Sequence, residues 1–538
     1  GRESMYQLQR GQAIAPSAVP SLIYRHTPKE MSIELIQEII DAFGYAATRA
    51  RQAGFDAVEI HAAHGYLLTQ FLSTLSNQRI DQYGGSFPDR ARFVIEVICA
   101  VRQQVGDDFP IILRVSAEES IKNGFVVEDI EPIMPSFVNA GTDIIHASIG
   151  THGSPGGVPS APADYKIGFN VWRAKRLKDA GKIPVIAVGR FNDPRPAEAV
   201  IAKGEADLVA FGRQHLCDPD FLKKAQAGRY EDIRLCIACN QGCIEREMFE
   251  SKSVRCTINP ETGQEHIYPS SSSGTPCKVW IIGAGPAGLT AAYEANRLGH
   301  AVSLFEKENH PGGNIRYACK APNKQVYGDW IQYLIRKVEK SGVTIQTGKP
   351  VTTQMLAEKP PDAVILATGG ERIIPAIPGI DLPYVCDAWQ ILGEAVKPGK
   401  NVAVIGGGLI GMETATFLSA RRSKVTLIEQ LPNSPVPKFT SHGYSLHKRL
   451  KQDGCQIKFN STLKQIREEC IILVDDNSNE SMSLTFDQIV LAVGMKPRDD
   501  LKAYLQTSNI RHFIVGDTLK VRRITEATEE GAKAAWEL

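Results

Sequence analysis

VWIIGAGPAGLTAA, residues 279–292, reads as an apolar strand, the pattern Gly283-x-Gly285-x-x-Gly288, and the opening of a helix. Gly283 permits a tight turn, Gly285 lets the backbone approach a pyrophosphate, and Gly288 lets the helix lie close to the strand. The following strand, VSLFE, ends in Glu306, where a carboxylate can accept from ribose hydroxyls. A lone glycine pattern is weak evidence, but strand, helix and acidic residue together point to a nucleotide-binding domain. NVAVIGGGLIGMETA (401–415) is a second copy, with Gly406, Gly408 and Gly411, and VTLIEQ (425–430) supplies Glu429. In both copies the acidic residue stands 23 positions after the first glycine, Gly283 to Glu306 and Gly406 to Glu429. A carboxylate at Glu429 favours a free 2′-hydroxyl and repels a 2′-phosphate, so NADH is expected rather than NADPH. Arg421 and Arg422 weaken that reading slightly; as a solvated pair they would close the preceding helix. The bland alternative for this copy is a relic fold that binds a nucleotide only structurally.

Three later features point to FAD in the first copy: Gly312-Gly313, the strand and turn AVILATGG (363–370), and FIVGD (513–517). In flavoproteins with two dinucleotide domains the terminal Gly-Asp contacts the ribityl chain, which implies that role for Gly516 and Asp517. The expected FAD domain is 276–395, completed by 495–538, and the expected NAD(P)H domain is 396–494.

The chain has 538 residues, enough for about three domains at roughly 150 residues each. Working back from the first glycine motif, YPSSSSGTP (268–276) reads as a linker. Before it, five short apolar strands alternate with helix-like segments: FDAVEIHAA (55–63), PIILRVS (110–116), TDIIHASIG (142–150), PVIAVGR (184–190) and ADLVAFGR (206–213). Repeated βα units with buried strands predict a parallel sheet, open or closed into a barrel. The charge is nearly balanced, with 61 Lys plus Arg against 60 Asp plus Glu, which leaves no electrostatic footprint for nucleic acid or an anionic membrane. No apolar stretch reaches the length of a membrane span, so the expectation is a soluble, cytoplasmic protein.

Four of the eleven cysteines, Cys236, Cys239, Cys243 and Cys256, follow the spacing C-x2-C-x3-C-x12-C within the segment 231–275. Four thiolates suit either Zn(II) or an iron–sulfur cluster. Unequal spacing argues against the two paired knuckles of a zinc ribbon, and three near ligands plus one distant ligand fit a [4Fe–4S] cubane. The scattered remainder read as inert core or surface thiols in a reduced compartment.

HAAHGYLLTQFLSTLSNQRIDQYGGSFPDRARF (61–93) closely resembles the old yellow enzyme family, whose flavin barrels carry H-x-x-[HN]-G-Y-L at the end of the fourth strand. The match is His61, His64, Gly65 and Tyr66, followed by Tyr83-Gly84-Gly85 and Arg90. With CIACNQGC (236–243) and the two dinucleotide domains, the chain resembles the multidomain iron–sulfur branch of that family, which includes 2,4-dienoyl-CoA reductase, 2-enoate reductase and trimethylamine dehydrogenase. The resemblance implies an α/β architecture: a TIM-type β/α barrel over 1–230 that binds FMN, then two Rossmann-like dinucleotide-binding domains. It implies that electrons pass from NADH through FAD and the cluster to FMN, which reduces an activated C=C bond in an unsaturated thioester, acid or ketone. Tyr66 corresponds to the proton donor, and His61 and His64 to the pair that hydrogen-bonds the substrate carbonyl. His152 resembles a histidine that assists the tyrosine in dienoyl-CoA reductases, although those reductases lack the paired strand-four histidines. Arg114 resembles the arginine near the flavin pyrimidine, and Gly189, Arg190, Gly212 and Arg213 stand where barrels hold the FMN phosphate. Gly1-Arg2 resembles the end of a family H-x-G-R motif, which implies that about 100 residues and the first strands lie upstream and that this chain alone binds FMN weakly or not at all. The expected partner is a small unsaturated molecule, with a CoA thioester among the options and homo-oligomerisation open. The alternatives are an amine dehydrogenase of the trimethylamine type and a non-catalytic electron-transfer flavoprotein.

Overall fold

The computed structural model describes residues 1–4, 10–269, 275–498 and 500–538, so the middle of the linker expected at 268–276 lies outside the described residues. The chain divides into two compact units, Gly1–Gly212 and Arg213–Leu538.

The first unit is built on five parallel strands in sequence order: β1 (Val58–Ala62), β2 (Ile111–Ser116), β3 (Ile144–Ser148), β4 (Val185–Ala187) and β5 (Leu208–Val209). Each falls inside one of the five apolar segments read from the sequence. Side chains alternate across the sheet. One row, Ile60, Leu113, Ile145 and Val185 in register, is buried in the core. The next row, His61, Arg114 and His146, projects to the opposite face. Helices cover the apolar side. Ile33–Gln52 (α1) buries Ile36, Ile40, Gly44 and Ala47, the spacing of a single helix face. It lies close to Phe87–Val105 (α2), because a methyl group at Gly44 would sit 3.2 Å from the Ala100 carbonyl oxygen. Ser32 and Ser86 cap the two helices, each accepting from a backbone N–H of the first turn.

The second unit holds two five-stranded parallel sheets. The first contains β6 (Lys278–Ile282), β7 (Ala301–Phe305), β8 (Ile345–Gln346) and β9 (Ala363–Leu366), and is completed at its edge by Arg511–Ile514 from the C-terminal segment. Pro286–Arg297 (α3) follows β6. The second sheet contains β10 (Val385–Asp387), β11 (Asn401–Ile405), β12 (Lys424–Ile428), β13 (Gln456–Lys458) and β14 (Gln488–Leu491), with Leu409–Ala420 (α4) following β11. An antiparallel ribbon, Gly370–Arg372 with Met495–Pro497, joins the two folds. Among the described residues no helix is long and apolar enough to cross a membrane.

The glycine motifs explain why helix and strand can approach so closely. A Cβ at Gly288 would lie 1.8 Å from the Gly283 carbonyl oxygen, and one at Gly411 the same 1.8 Å from that of Gly406. Gly408, by contrast, has open space around its Cβ position and φ −72°, which any residue adopts. Gly411→Ala is therefore expected to cost about 3 kcal/mol through backbone overpacking, whereas Gly408→Ala should change stability by less than about 0.5 kcal/mol. Denaturant unfolding of the two variants side by side checks this.

Candidate functional site

At the end of β1 the chain makes a sharp left-handed turn, with His64 at φ 64° and Gly65 at φ 81°. A methyl group at Gly65 would press to 3.1 Å from the Thr151 side chain. A histidine in this region is uncommon and must be held there. The His64 N–H donates to Ser116 Oγ (3.0 Å), and the His64 carbonyl accepts both the His152 N–H (3.1 Å) and His152 Nδ1–H (2.7 Å). The turn aims Tyr66 outward, and its hydroxyl lies 3.1 Å from His152 Nε2. A carbonyl can only accept, so the proton on neutral His152 is at Nδ1. Nε2 is then the acceptor, and Tyr66 O–H donates to it.

His61 and His64 are not equivalent. Their rings stand 5.0 Å apart, but His64 Nε2 is engaged with Ser148 Oγ at 2.6 Å, while His61 Nδ1 is buried without a partner and its ring lies 5.1 Å from Tyr66. Burial, reinforced by the nearby Arg114 charge, lowers His61 to about 4 and His64 to about 2. Both rings are therefore neutral near pH 7.

Beneath them lies a group that the sequence reading did not single out. Glu59, two residues before His61 on the same face, accepts from His146 Nδ1–H at 2.7 Å and has an oxygen 3.9 Å from Arg114 Nη1. Burial pushes the Glu59 carboxyl up, but the His146 hydrogen bond and the Arg114 charge overcome it and hold it below the usual carboxylate range. Arg114 Nε and His146 Nε2 are, like His61 Nδ1, buried and unpartnered. Three unsatisfied polar atoms in one register row suit a polar, planar ligand edge such as a flavin pyrimidine ring. The signal was available: charged residues at alternate positions of otherwise apolar strands. Of the expected phosphate-binding positions, Gly189 packs against Asn170, whose side chain ties Ala147 O and Val188 O together, and Arg190 donates to the Tyr165 carbonyl (2.6 Å). Gly212 ends the first unit with open space around its Cβ position, and Arg213 begins the second, hydrogen-bonded to Asn240 of the cysteine segment.

In the second unit, the two acidic residues occupy the same relation to their glycine turns. Glu306 accepts from the Ala284 and Glu308 N–H groups, both at 2.9 Å, and Glu429 from those of Gly407 (2.6 Å) and Leu431 (2.8 Å). Gly313 closes over the first turn, its Cβ position 3.0 Å from Gly285 Cα. Gly516 donates its N–H to Glu530, and burial raises the Asp517 carboxyl. Arg421 pairs with Glu394 at the surface and stacks on Phe417, at the C-cap of α4. A trio of buried Lys324 and Glu413 with half-buried His442 was also not foreseen.

Cys236, Cys239, Cys243 and Cys256 come together through a π-helical turn at Gln241–Glu245 and an isolated bridge between Cys256 and Asn259. Gly242 permits the approach, because a Cβ there would meet the Arg255 carbonyl at 2.9 Å. Each sulfur accepts from a backbone N–H just ahead of it: Ala238 to Cys236 (3.4 Å), Gln241 to Cys239, Ile244 to Cys243, and Ile258 and Asn259 to Cys256. Such donors favour thiolate, the form that ligates metal. Burial nevertheless pushes the Cys243 thiol up to about 12. Among the described residues no three His, Cys, Asp or Glu side chains form a group that could hold a single metal ion.

A β/α unit with a polar row at its strand ends, followed by two glycine-turn nucleotide folds, defines a flavin-dependent oxidoreductase that uses a pyridine nucleotide. Residues 2–232 match the NADH:flavin oxidoreductase / NADH oxidase family, and residues 277–524 match the pyridine nucleotide-disulphide oxidoreductase family. The chain is 36% identical over 550 residues to an NADH oxidase of Thermoanaerobacter brockii, covering 100% of this chain and 83% of that protein. It is 32% identical to a cinnamate reductase of Clostridium sporogenes, over 98% of this chain and 81% of the other. Its fold superposes on a solved 2-naphthoyl-CoA reductase complexed with 2-naphthoyl-CoA with TM-score 0.91 and 30% identity, over 98% of this chain and 81% of that one. The chain belongs to the NADH:flavin oxidoreductase / NADH oxidase family, in its multidomain flavoprotein branch.

The depressed histidines give stability a sign. The unfolded chain takes up a proton near pH 6.5 that folded His61 refuses until about pH 4. Stability is therefore full above about 6.5 and falls as pH drops through that window, with His64 adding in the same direction. Replacing His61 with Gln should flatten this acid limb, measured as denaturant midpoints across the window.

Proposed function

We propose that this protein is an NADH-dependent reductase of activated C=C bonds in α,β-unsaturated thioesters, acids or ketones. The observation that carries the reading is the Tyr66–His152 hydrogen bond at the strand end, set above the row of His61, Arg114 and His146. The relatives named for cinnamate and 2-naphthoyl-CoA support a conjugated carbonyl substrate.

In this reading FMN lies against the first unit, FAD against residues 276–395 with 495–538, NADH against 396–494, and a [4Fe–4S] cluster on Cys236, Cys239, Cys243 and Cys256. When bound, these groups carry electrons from NADH through FAD and the cluster to FMN, and deliver a hydride to the β-carbon. Hydride arrival builds negative charge on the substrate carbonyl oxygen. Neutral His61, whose ring faces Tyr66, is the group free to donate to it, while His64 holds the turn through Ser148 and Ser116. Tyr66 gives its proton to the α-carbon. His152 Nε2, 3.1 Å from the phenol oxygen, carries no proton of its own and orients the phenol by accepting its O–H, and the exposed phenolate left after the transfer is reprotonated from solvent. Arg114, kept in place by Glu59, supplies positive charge to the flavin pyrimidine edge. Gly189 and Arg190 contribute backbone and side-chain donors for the FMN phosphate, with Gly212 and Arg213 also proposed for it.

Anaerobic titration with NADH in the presence of an enone, an enoate or an enoyl-CoA tests the proposal. Substrate-dependent NADH oxidation is expected with at least one, and its absence with all three would remove the reductase reading. Tyr66→Phe should slow alkene reduction by about 10²–10⁴-fold while flavin reduction by NADH proceeds at the normal rate, which stopped-flow absorbance separates.

A further inference from the structure

Arg234 stands two residues before the first cysteine of the cluster segment and is nine-tenths buried. Its Nε–H donates to the Cys217 carbonyl at 2.8 Å, and the Cys217 thiol lies 3.0 Å from the Arg234 carbonyl. Cys217, a fifth cysteine with no exposed surface, also lies within hydrogen-bonding reach of Cys256. Cys217 therefore ties Arg234 to the thiol set from both sides. The Arg234 N–H is satisfied by Asp218, but that carboxylate is held by Lys224 at 2.6 Å. Among the described residues Arg234 makes no ion pair with a carboxylate. The charged and titratable groups around it are Cys217, Cys256, Tyr333, Glu261 and the half-buried Lys337. The Lys337 ammonium rests 3.7 Å above the Tyr293 ring, and burial, reinforced by Arg234, draws it down to about 7.

A buried guanidinium with no carboxylate ion pair is unfavourable unless an anion is nearby. A [4Fe–4S] core held by four thiolates is such an anion, with a net charge of about −2 oxidised and about −3 after taking up one electron. No proton accompanies that electron, so the added charge must be balanced by fixed groups. We propose that Arg234 is the buried counter-charge of the iron–sulfur cluster, fixed by Cys217, and that it raises the cluster's reduction potential. This rests on the cluster reading above. Arg234 is a positioning and tuning residue and is not a ligand.

The test is a redox titration followed by electron paramagnetic resonance on anaerobically prepared wild type, Arg234→Gln and Arg234→Lys, with iron and zinc counted per chain. In Arg234→Gln the ratio of reduced to oxidised cluster at a fixed ambient potential should fall at least tenfold, a shift of about 59 mV to more negative values for a one-electron couple. Arg234→Lys, which keeps the charge, should return to within roughly threefold of wild type. An unchanged midpoint in Arg234→Gln, equal shifts in both variants, or loss of the cluster from both would overturn the proposal, because the role would then be steric. Wild type carrying zinc in place of iron would overturn the cluster reading itself, an outcome distinct from a wild-type cluster whose potential ignores Arg234.

Discussion

The Glu59 carboxylate binds His146 directly and lies within Coulombic reach of Arg114, on the face of the first unit's sheet that carries its polar side chains. Removing an arginine from water is strongly unfavourable unless an anion accompanies it, and a carboxylate two residues before His61 answers that need. Because the strands are parallel and in register, satisfying Arg114 from one strand away also fixes the height at which His61 and His146 stand. The turn at His64 and Gly65 begins from that height, and the Tyr66 hydroxyl meets His152 only because β1 ends where it does. The polar chemistry at the strand ends thus depends on one carboxylate two residues below it on the same strand face.

The second unit meets the same constraint with backbone donors. Glu306 and Glu429 are nearly inaccessible to water, and each is satisfied by two N–H groups, one from the glycine turn and one from two residues further on. Each of the four clustered sulfurs likewise accepts from the peptide just ahead of it. Carboxylate and thiol alike are stabilised by amides that the local turn points inward, so short motifs can carry these sites with little help from distant residues.

That locality explains what was legible in advance. The five strands, both glycine turns and their acidic partners, and the four cysteines are set by spacing along the chain, and hydrophobic alternation or a fixed interval reveals them. Tyr66 and His152 were legible because each sits at the tip of a strand. What stayed hidden is lateral. Glu59 and His146 are separated by 87 positions and meet only through the register of three strands. Arg234 and Lys337 come together by the packing of a loop on a helix, and the Lys324–Glu413–His442 trio likewise joins three separate segments. The unequal fates of His61 and His64 were hidden for the same reason, since the hydroxyl that occupies His64 arrives from Ser148 on β3.

The two glycine cradles are near copies at their floors and differ at their roofs. The first has Gly313 pressed against Gly285 and the C-terminal helix Ile524–Trp536 packed so tightly that a methyl group at Gly531 would sit 2.3 Å from the Ala287 carbonyl. Gly408, the matching position of the second, faces open space. Two turns with the same glycine spacing therefore present unequal surfaces, the first closed in by Gly313 and by a helix packed on the start of α3, the second open at its middle glycine.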